Sequence, residues 1–137
     1  MKDYTTIENF RRVSDEEERI GALLVDAAYH VHKKIGPGLL EKYYEICLCH
    51  ELQKRGLKVT RQVTVPLVYD HMVFEDAIRL DILINDLVIC EVKAVEQVNA
   101  VWDAQILSQL QLTGKRLGFL INFTVPLIKY GIKRFVK

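Results

Sequence analysis

The sequence predicts an α/β domain in which helices cover a mixed β-sheet. Apolar residues recur at helical spacing in two N-terminal segments and in one segment near residue 100. Between residues 57 and 93 the pattern changes to alternating and short apolar runs, which are typical of strands. The chain has 137 residues, 50% of them hydrophobic, which is enough to form one core. We expect an N-terminal extension at residues 1–13 and a single domain at residues 14–137.

The first two elements are predicted to be helices. A capping residue, Ser14, precedes four acids, and apolar residues then repeat at helical spacing from Ile20 to Ile35. The turn Gly36-Pro37-Gly38 ends this helix. The second helix begins at about Leu40 and stops at Gly56, because glycine readily adopts the left-handed conformation that follows a helix.

Strands are predicted to follow the two helices. Residues 57–69 alternate between apolar and polar, and Pro66 among them marks a sheet edge or a break. This segment is therefore one long bent strand or two short ones. Two apolar strands come next, Ile78–Ile84 and Leu87–Lys93, and a turn at Asn85-Asp86 separates them.

The last third of the chain adds one more helix and one more strand. The helix is predicted at Asn99–Thr113 and is closed by Gly114, and the strand is predicted at Leu117–Phe123. Only a short segment without an assigned element follows Gly131. The predicted order is therefore helix, helix, three strands, helix and strand (α-α-β-β-β-α-β).

Charged residues end two of the apolar strands. Asp81 lies in the first strand, and Glu91, ten residues further on, is followed by Lys93 at the end of the second. Side chains two apart on a strand point to the same face, so Glu91 and Lys93 stand together while Val92 faces away. Because the second strand is so apolar, we expect it to be central and covered on both faces. Ionised groups in such a strand are costly unless they are paired or bind a metal, so the sequence predicts a site here.

An inert cluster of ion pairs is the alternative interpretation of these charges. Glu91 and Lys93 could form a simple pair on one face of the strand, and Asp81 could pair with Arg79. The residues alone leave both interpretations open.

The joint site depends on the register of these two strands. If Asn85-Asp86 were a two-residue hairpin loop, Asp81 would lie opposite Cys90, and Glu91 would face the other side. For Asp81 and Glu91 to share a metal ion, the connection needs three loop residues or a bulge. We therefore predict this odd register.

Several motifs of the chain resemble those of a known family of small proteins. Residues 38–44 fit the pattern G-x-x-E-x-x-Y, with Glu41 as its acid. This pattern is the signature of the GxxExxY proteins, which are grouped with the PD-(D/E)XK nuclease superfamily. The resemblance runs from about residue 17 to about residue 134 and is carried in order by Gly36-Pro37-Gly38, Arg79-Leu80-Asp81, Glu91-Val92-Lys93, Gln105 and Gly118–Phe123.

The resemblance implies a restriction-endonuclease-like fold and a phosphodiesterase site that uses Mg²⁺ or Mn²⁺. Asp81 and Glu91 would bind the metal ion together with Glu41, the acid of the preceding helix. Lys93 would position the attacking water or stabilise the transition state. Gln105 would be the polar residue contributed by the following helix.

The C-terminal third carries the basic residues that a nucleic acid would contact. The net charge is only +1, but no acid follows Asp103. We expect Lys115, Arg116, Lys133 and Arg134 to contact phosphates if their charges share a face. If they do not, they are scattered charges on a solvated surface.

Several other classes of protein find no support in the sequence. No apolar run approaches the roughly 18 residues that span a bilayer, and residues 1–10 are too polar for a secretory signal. The three cysteines, Cys47, Cys49 and Cys90, fall in predicted helix or strand interiors, which favours buried thiols in a reducing cytoplasm. Phosphate-binding loops and nucleophile elbows are absent from the sequence.

Two functions remain open at this point. The first is a single-domain nuclease, dependent on Mg²⁺ or Mn²⁺, that cuts DNA without reading its sequence, and a homodimer would let it engage both strands. The second is an inactive module with a nuclease fold that binds nucleic acid or a protein. Gln109 supports the second function, because many relatives carry a tyrosine at this position, four residues after the glutamine of the third helix. Glu41 could also be only an acid favoured by the helix dipole.

Overall fold

The structure is a computed structural model that describes residues 13–137, so most of the expected extension at residues 1–13 lies outside the described residues. Within residues 13–137 the order is two helices, three strands, a helix, a strand, a short 3₁₀ helix at Ile128–Tyr130 and a last strand. The helices are α1 (Asp15–Ile35), α2 (Glu41–Lys54) and α3 (Val101–Thr113). The strands are β1 (Val59–Tyr69), β2 (Met72–Ile84), β3 (Val88–Lys93), β4 (Leu117–Asn122) and β5 (Ile132–Val136).

The five strands form one mixed sheet in the order β1-β2-β3-β4-β5. Among the described strands only β3 and β4 run parallel, and α3 makes the crossover between them. Helices α1 and α2 cover one face of the sheet and α3 covers the other. The predicted α/β class is therefore confirmed, and β3 is the buried central strand that its apolar sequence indicates.

Most of the predicted ends of the elements are confirmed. Ser14 caps α1 in a capping box with Glu17, and Gly114 ends α3 in the left-handed conformation at φ 71°. The segment around Pro66 is one long edge strand with a register shift between Val65 and Leu67. None of the helices within residues 13–137 is long and apolar enough to cross a bilayer.

Two strand assignments made from the sequence are incomplete. Strand β2 begins at Met72 rather than Ile78, and the segment after Gly131 forms the additional strand β5. Residues 72–77 are all exposed and β5 is largely exposed, so neither segment shows the burial pattern of a core strand. Both are held by backbone pairing with a neighbouring strand, which leaves little trace in the sequence.

The predicted odd register between β2 and β3 is confirmed. Ile84 pairs with Val88 and Ile82 with Cys90, so the connection has three residues, Asn85, Asp86 and Leu87. Asn85 and Asp86 adopt left-handed backbones, at φ 51° and 56°. Continuing this register by one residue places Asp81 opposite Glu91 on the same face of the sheet.

Gly131 is a position where the fold leaves no room for a side chain. A Cβ atom there would collide with the carbonyl oxygen of Asn122 and lie 2.9 Å from Cγ2 of Val125. We predict that Gly131→Ala lowers the free energy of unfolding by about 3 kcal/mol, measured by urea denaturation. At Gly56 nothing lies within 4 Å, so Gly56→Ala should cost only about 1 kcal/mol, from its positive φ alone. Equal losses in the two variants would contradict this account.

Candidate active site

The site begins where β2 and β3 stop pairing through their backbones. The last paired residues are Ile82 and Cys90. At the next position, side-chain carboxylates accept the hydrogen bonds of the backbone N–H groups. The backbone N–H of Asp81 donates to Oε1 of Glu91 at 3.1 Å, and that of Val92 donates to Oδ2 of Asp81 at 2.9 Å. Each carboxylate therefore bridges to the neighbouring strand, and the two acids are held against each other.

The buried surroundings of Glu91 raise the pKa of its carboxyl group. Glu91 is only 7% exposed. Burial, with the negative charge of Asp81 as the next cause, raises the pKa of Glu91 to about 8. At neutral pH the pair therefore retains a proton, because two ionised carboxylates at this depth repel each other.

The motif around Glu41 places a third acid close to the acid pair. Glu41 is the first residue of α2, and Tyr44, one turn later, points back toward the preceding turn. The Tyr44 hydroxyl donates to the carbonyl of Gly36 and accepts from the N–H of Leu39 at 3.1 Å. Its ring stacks on Phe123 at a centroid distance of 4.7 Å. The tyrosine of the motif thus fixes the turn that precedes Glu41 and so determines where Glu41 lies.

The electrostatic surroundings of Glu41 connect it to the acid pair. Burial is the first cause that raises its pKa, and the charge of Asp81 is the second. The positive charge of Lys93 acts in the opposite direction. Glu41 therefore belongs to the same electrostatic cluster as Asp81 and is more than an acid at a helix N-terminus.

Lys93 is positioned by an aromatic ring. Its Nζ atom lies over the ring of Trp102, 5.5 Å from the centroid, which stabilises an ammonium group. The chain after Lys93 is held by Asn122, whose side-chain amide donates to the carbonyl of Val95 at 3.0 Å and accepts from its N–H at 3.3 Å. Trp102, which sequence reasoning gave no role in the site, therefore supports the lysine.

An open cavity of about 740 Å³ joins these groups. It lies between α2, β2 and α3, and we call it the cleft. Its lining residues are Glu41, Lys42, Glu45, Gln62, Ala77, Ile78, Arg79, Asp81, Glu91, Lys93, Val101, Ala104, Gln105, Ser108, Gln109 and Leu112. The cleft thus brings together all five residues that the resemblance implied for catalysis: Glu41, Asp81, Glu91, Lys93 and Gln105.

The amide side chains of α3 differ in their surroundings. Gln105 is exposed at the wall of the cleft, so it is free to meet a ligand. Gln109, one turn later, has a buried Oε1 atom that accepts no hydrogen bond within the described part of the chain. A buried acceptor without a partner is costly, so the Oε1 atom of Gln109 is suited to accept a hydrogen bond from water or from a ligand.

The two ion pairs that the alternative interpretation of the acids expected are not formed among the described residues. Among residues 13–137 no ion pair joins Arg79 to Asp81 or Lys93 to Glu91. Lys93 turns to Trp102 instead. The carboxylates therefore face the cleft without the neutralising partners that a structural cluster would have.

The four C-terminal basic residues do not share one face. Lys133 pairs with Asp103 of α3, whereas Arg134 pairs with Glu18 of α1 on the opposite side of the sheet. None of the predicted contact residues Lys115, Arg116, Lys133 and Arg134 lines the cleft. The condition that we set for a shared phosphate-binding face is therefore not met by Lys133 and Arg134, because neighbouring residues of a strand point in opposite directions.

Sequence reasoning missed a second polar group in the cleft. Glu45 is buried at 4% exposure, one turn after Glu41. Gln62 of β1 donates to its Oε1 at 2.7 Å, and Arg61 donates to its Oε2 at 2.6 Å. Only the spacing of Glu41 and Glu45 on one helix face could have indicated it.

The buried thiols are not among the groups that line the cleft. Burial raises the pKa of Cys49 to about 12 and that of Cys90 well above its ordinary value. Neither lines the cleft, and all three cysteines are free. The expectation of buried thiols holds for Cys49 and Cys90, while Cys47 is half-buried.

The donor set of the cleft fits a divalent metal ion. Within residues 13–137 no group of three His, Cys, Asp or Glu side chains is arranged to hold a metal by itself, so Glu41 does not complete the expected set of three. Asp81 and Glu91 remain, as two hard oxygen donors without a cationic partner at an open cavity. Mg²⁺ is commonly bound by one or two carboxylates, with water and phosphate as its other ligands.

Comparison with known proteins agrees with this geometry. A family model of the PD-(D/E)XK nuclease superfamily matches residues 18–135, and the chain therefore belongs to this superfamily. Its mixed sheet with flanking helices is the restriction-endonuclease-like fold. Nucleases of this superfamily act on nucleic acid and generally use divalent metals. No curated protein and no solved structure matches the chain significantly.

The raised pKa of Glu91 predicts that the metal-free protein loses stability as the pH rises from about 4.5 to about 8. In this window the unfolded chain releases the proton and the folded chain keeps it, so each pH unit favours unfolding by up to about 1.4 kcal/mol. Glu91→Gln should flatten this dependence and be more stable than wild type at pH 8. Urea denaturation with a chelator at pH 5 and pH 8 measures both. The exposed Glu96→Gln is the control and should follow wild type.

Tyr44 and Tyr43 form a matched pair for testing the turn before Glu41. Tyr44→Phe removes a buried hydroxyl with two backbone partners, and we predict a loss of about 1–3 kcal/mol in the free energy of unfolding. Tyr43 is 47% exposed, so Tyr43→Phe should change stability by less than about 0.5 kcal/mol. Equal effects in thermal denaturation would show that the Tyr44 hydroxyl does not hold the turn.

Proposed function

We propose that the protein is a metal-dependent nuclease that hydrolyses phosphodiester bonds, with DNA as its substrate and Mg²⁺ or Mn²⁺ as its cofactor. The observation that carries the proposal is the pair Asp81 and Glu91, held together at an open cleft with Lys93 beside it. Two ionised carboxylates held this close would repel each other, and a divalent cation would stabilise their charged form.

Each of the five residues that the resemblance implied for catalysis has a proposed task. Asp81 and Glu91 would hold the metal ion, which would supply positive charge at the phosphate and lower the pKa of a bound water. The Lys93 ammonium, held over Trp102, stabilises the negative charge that develops on the phosphate oxygens.

Glu41 and Gln105 complete the proposed mechanism. Glu41 is at the open side of the cleft, and its raised pKa makes its carboxylate a better acceptor for the proton of the attacking water. Gln105 orients the phosphate or the water through its exposed amide. Water attacks the phosphorus in line as the bond to the leaving sugar oxygen breaks, and the proton of the water passes to Glu41. The leaving oxygen takes a proton from solvent, and no covalent intermediate with the protein forms.

The cleft also supports a finer assignment. We assign the chain to the GxxExxY proteins, because Tyr44 holds the turn before Glu41 and so gives both residues of that motif a task. Lys42 and Arg79 line the cleft and are better placed for phosphate contacts near the metal than Lys115, Arg116, Lys133 and Arg134. A homodimer would let two clefts act on the two strands of a duplex, and the free, buried thiols suit a cytoplasmic location.

The rival function is a nuclease fold that binds nucleic acid without cutting it. Gln109 favours it, because an amide stands where many relatives carry a tyrosine and its Oε1 lacks a partner. In that case the acids would be remnants of a former metal site.

A cleavage assay separates the two functions. Labelled single strands, duplexes, flaps and four-way junctions are incubated with Mn²⁺ and with wild type, Asp81→Ala or Lys93→Ala. We predict cleavage by wild type and a loss of about 100-fold or more in both variants, because each removes a group that acts on the reacting phosphate.

The control for this assay is Lys58→Ala, which removes an exposed lysine paired with Asp86, outside the cleft. It should cleave as wild type does. Equal cleavage by Asp81→Ala would assign the activity to a contaminant, and binding without cleavage on every substrate would favour the rival.

A further inference from the structure

A residue with a left-handed backbone lies directly across the sheet from Asp81. Gln62 of β1 has φ 51°, which is unfavourable for a residue with a Cβ atom. Arg61 pairs with Ile82 and Val63 with Leu80, so Gln62 faces Asp81, but these two residues do not pair. Backbone strain persists only where the surroundings hold it, and it is concentrated at functional sites.

Both strands change the face they present at this position. Leu80 packs in the core on the α3 side of the sheet, whereas Ile82, two residues later, packs under α1 and α2. In β1, Val59 and Val63 are divided between the same two cores. Residues two or four apart share a face in a regular strand. The backbone of Gln62 and the turning of β2 at Asp81 are therefore parts of one irregularity.

A buried carboxylate holds Gln62 in this conformation. Oε1 of Glu45 accepts from the Gln62 amide at 2.7 Å, and Oε2 accepts from Arg61 at 3.2 and 2.6 Å. Glu45 has 4% exposure and lies one turn after Glu41 on α2. Each oxygen of Glu45 is thus engaged with β1, and α2 is tied to the strand at the irregular position.

We propose that Gln62 and Glu45 are positioning residues for Asp81. Glu45 holds the amide of Gln62, which interrupts the pairing of β1 with β2 at Asp81. The Asp81 carboxylate is then able to turn toward β3, where its Oδ2 accepts from the N–H of Val92. Neither positioning residue touches the reacting atoms. The catalytic meaning of this arrangement rests on the proposed nuclease function, whereas the coupling of Gln62 to Asp81 can be tested without metal.

The first test is amide hydrogen exchange, measured by NMR on the metal-free protein. Gln62→Gly removes the amide but accepts the left-handed backbone, so the relief of strain offsets part of the lost hydrogen bond and the fold should be retained, which urea denaturation checks. We expect the exchange of the Val92 N–H to become about tenfold faster or more. Exchange at the wild-type rate would overturn the inference and leave the proposed function untouched.

The matched control is Asp70→Gly. Asp70 also has a left-handed backbone, at φ 54°, and is exposed in the turn between β1 and β2, outside the cleft. This variant relieves the same kind of strain and should leave the Val92 exchange unchanged. Glu45→Gln keeps an acceptor for the Gln62 amide and should retain most of the protection, whereas Glu45→Ala should resemble Gln62→Gly.

The second test is the affinity for Mn²⁺, measured by calorimetry on the same variants. We expect Gln62→Gly to raise the Kd about tenfold or more although the protein remains folded, and Asp70→Gly to leave the Kd unchanged. Wild-type affinity in Gln62→Gly would overturn the positioning role. If wild type itself binds no Mn²⁺, the proposed function fails, and faster exchange at Val92 would still support the coupling of Gln62 to Asp81.

Discussion

The burial of Glu91 against Asp81 is the constraint on which the rest of the site depends. Two acids on neighbouring central strands face the same way only because the β2–β3 connection has three residues. Once they face each other, burial and the charge of Asp81 raise the pKa of Glu91 and favour its protonated form in the absence of a cation. Burying two acids side by side lowers the stability of the fold. A binding site accounts for this loss of stability, whereas an inert surface does not.

The surrounding elements hold each charged group at a fixed place around this pair. Tyr44 fixes the turn that brings Glu41 to the cleft, and Trp102 lies under the ammonium of Lys93. Asn122 fastens the chain that leaves β3. These supports come from three different elements, so the site is built by the packing of the fold and is not confined to one loop. Such rigid support favours the precise geometry that catalysis requires.

Much of this arrangement could be predicted from the sequence, because it depends on periodicity and turn length. The apolar run of β3 indicates a central strand. A shared site requires Asp81 and Glu91 to lie on one face of the sheet, and this requirement predicts the odd register that the structure has. Strand β5 could not be predicted, since backbone pairing at an exposed edge leaves no apolar pattern. The role of Gln62 was also hidden, because it depends on one backbone angle and on a contact with a helix residue far away in sequence.

The measurement that tests the central claim most directly is the thermal stability of wild type and Asp81→Asn at pH 8, with and without Mn²⁺. If the two carboxylates form a cation site, the order of stability of the two proteins should differ between the metal-free and the Mn²⁺-bound condition. Without metal, Asp81→Asn should be the more stable protein, because one of the two charges is gone. With Mn²⁺, wild type should gain stability and the variant should gain little. A metal-free variant that is less stable, together with equal gains from Mn²⁺, would contradict the account.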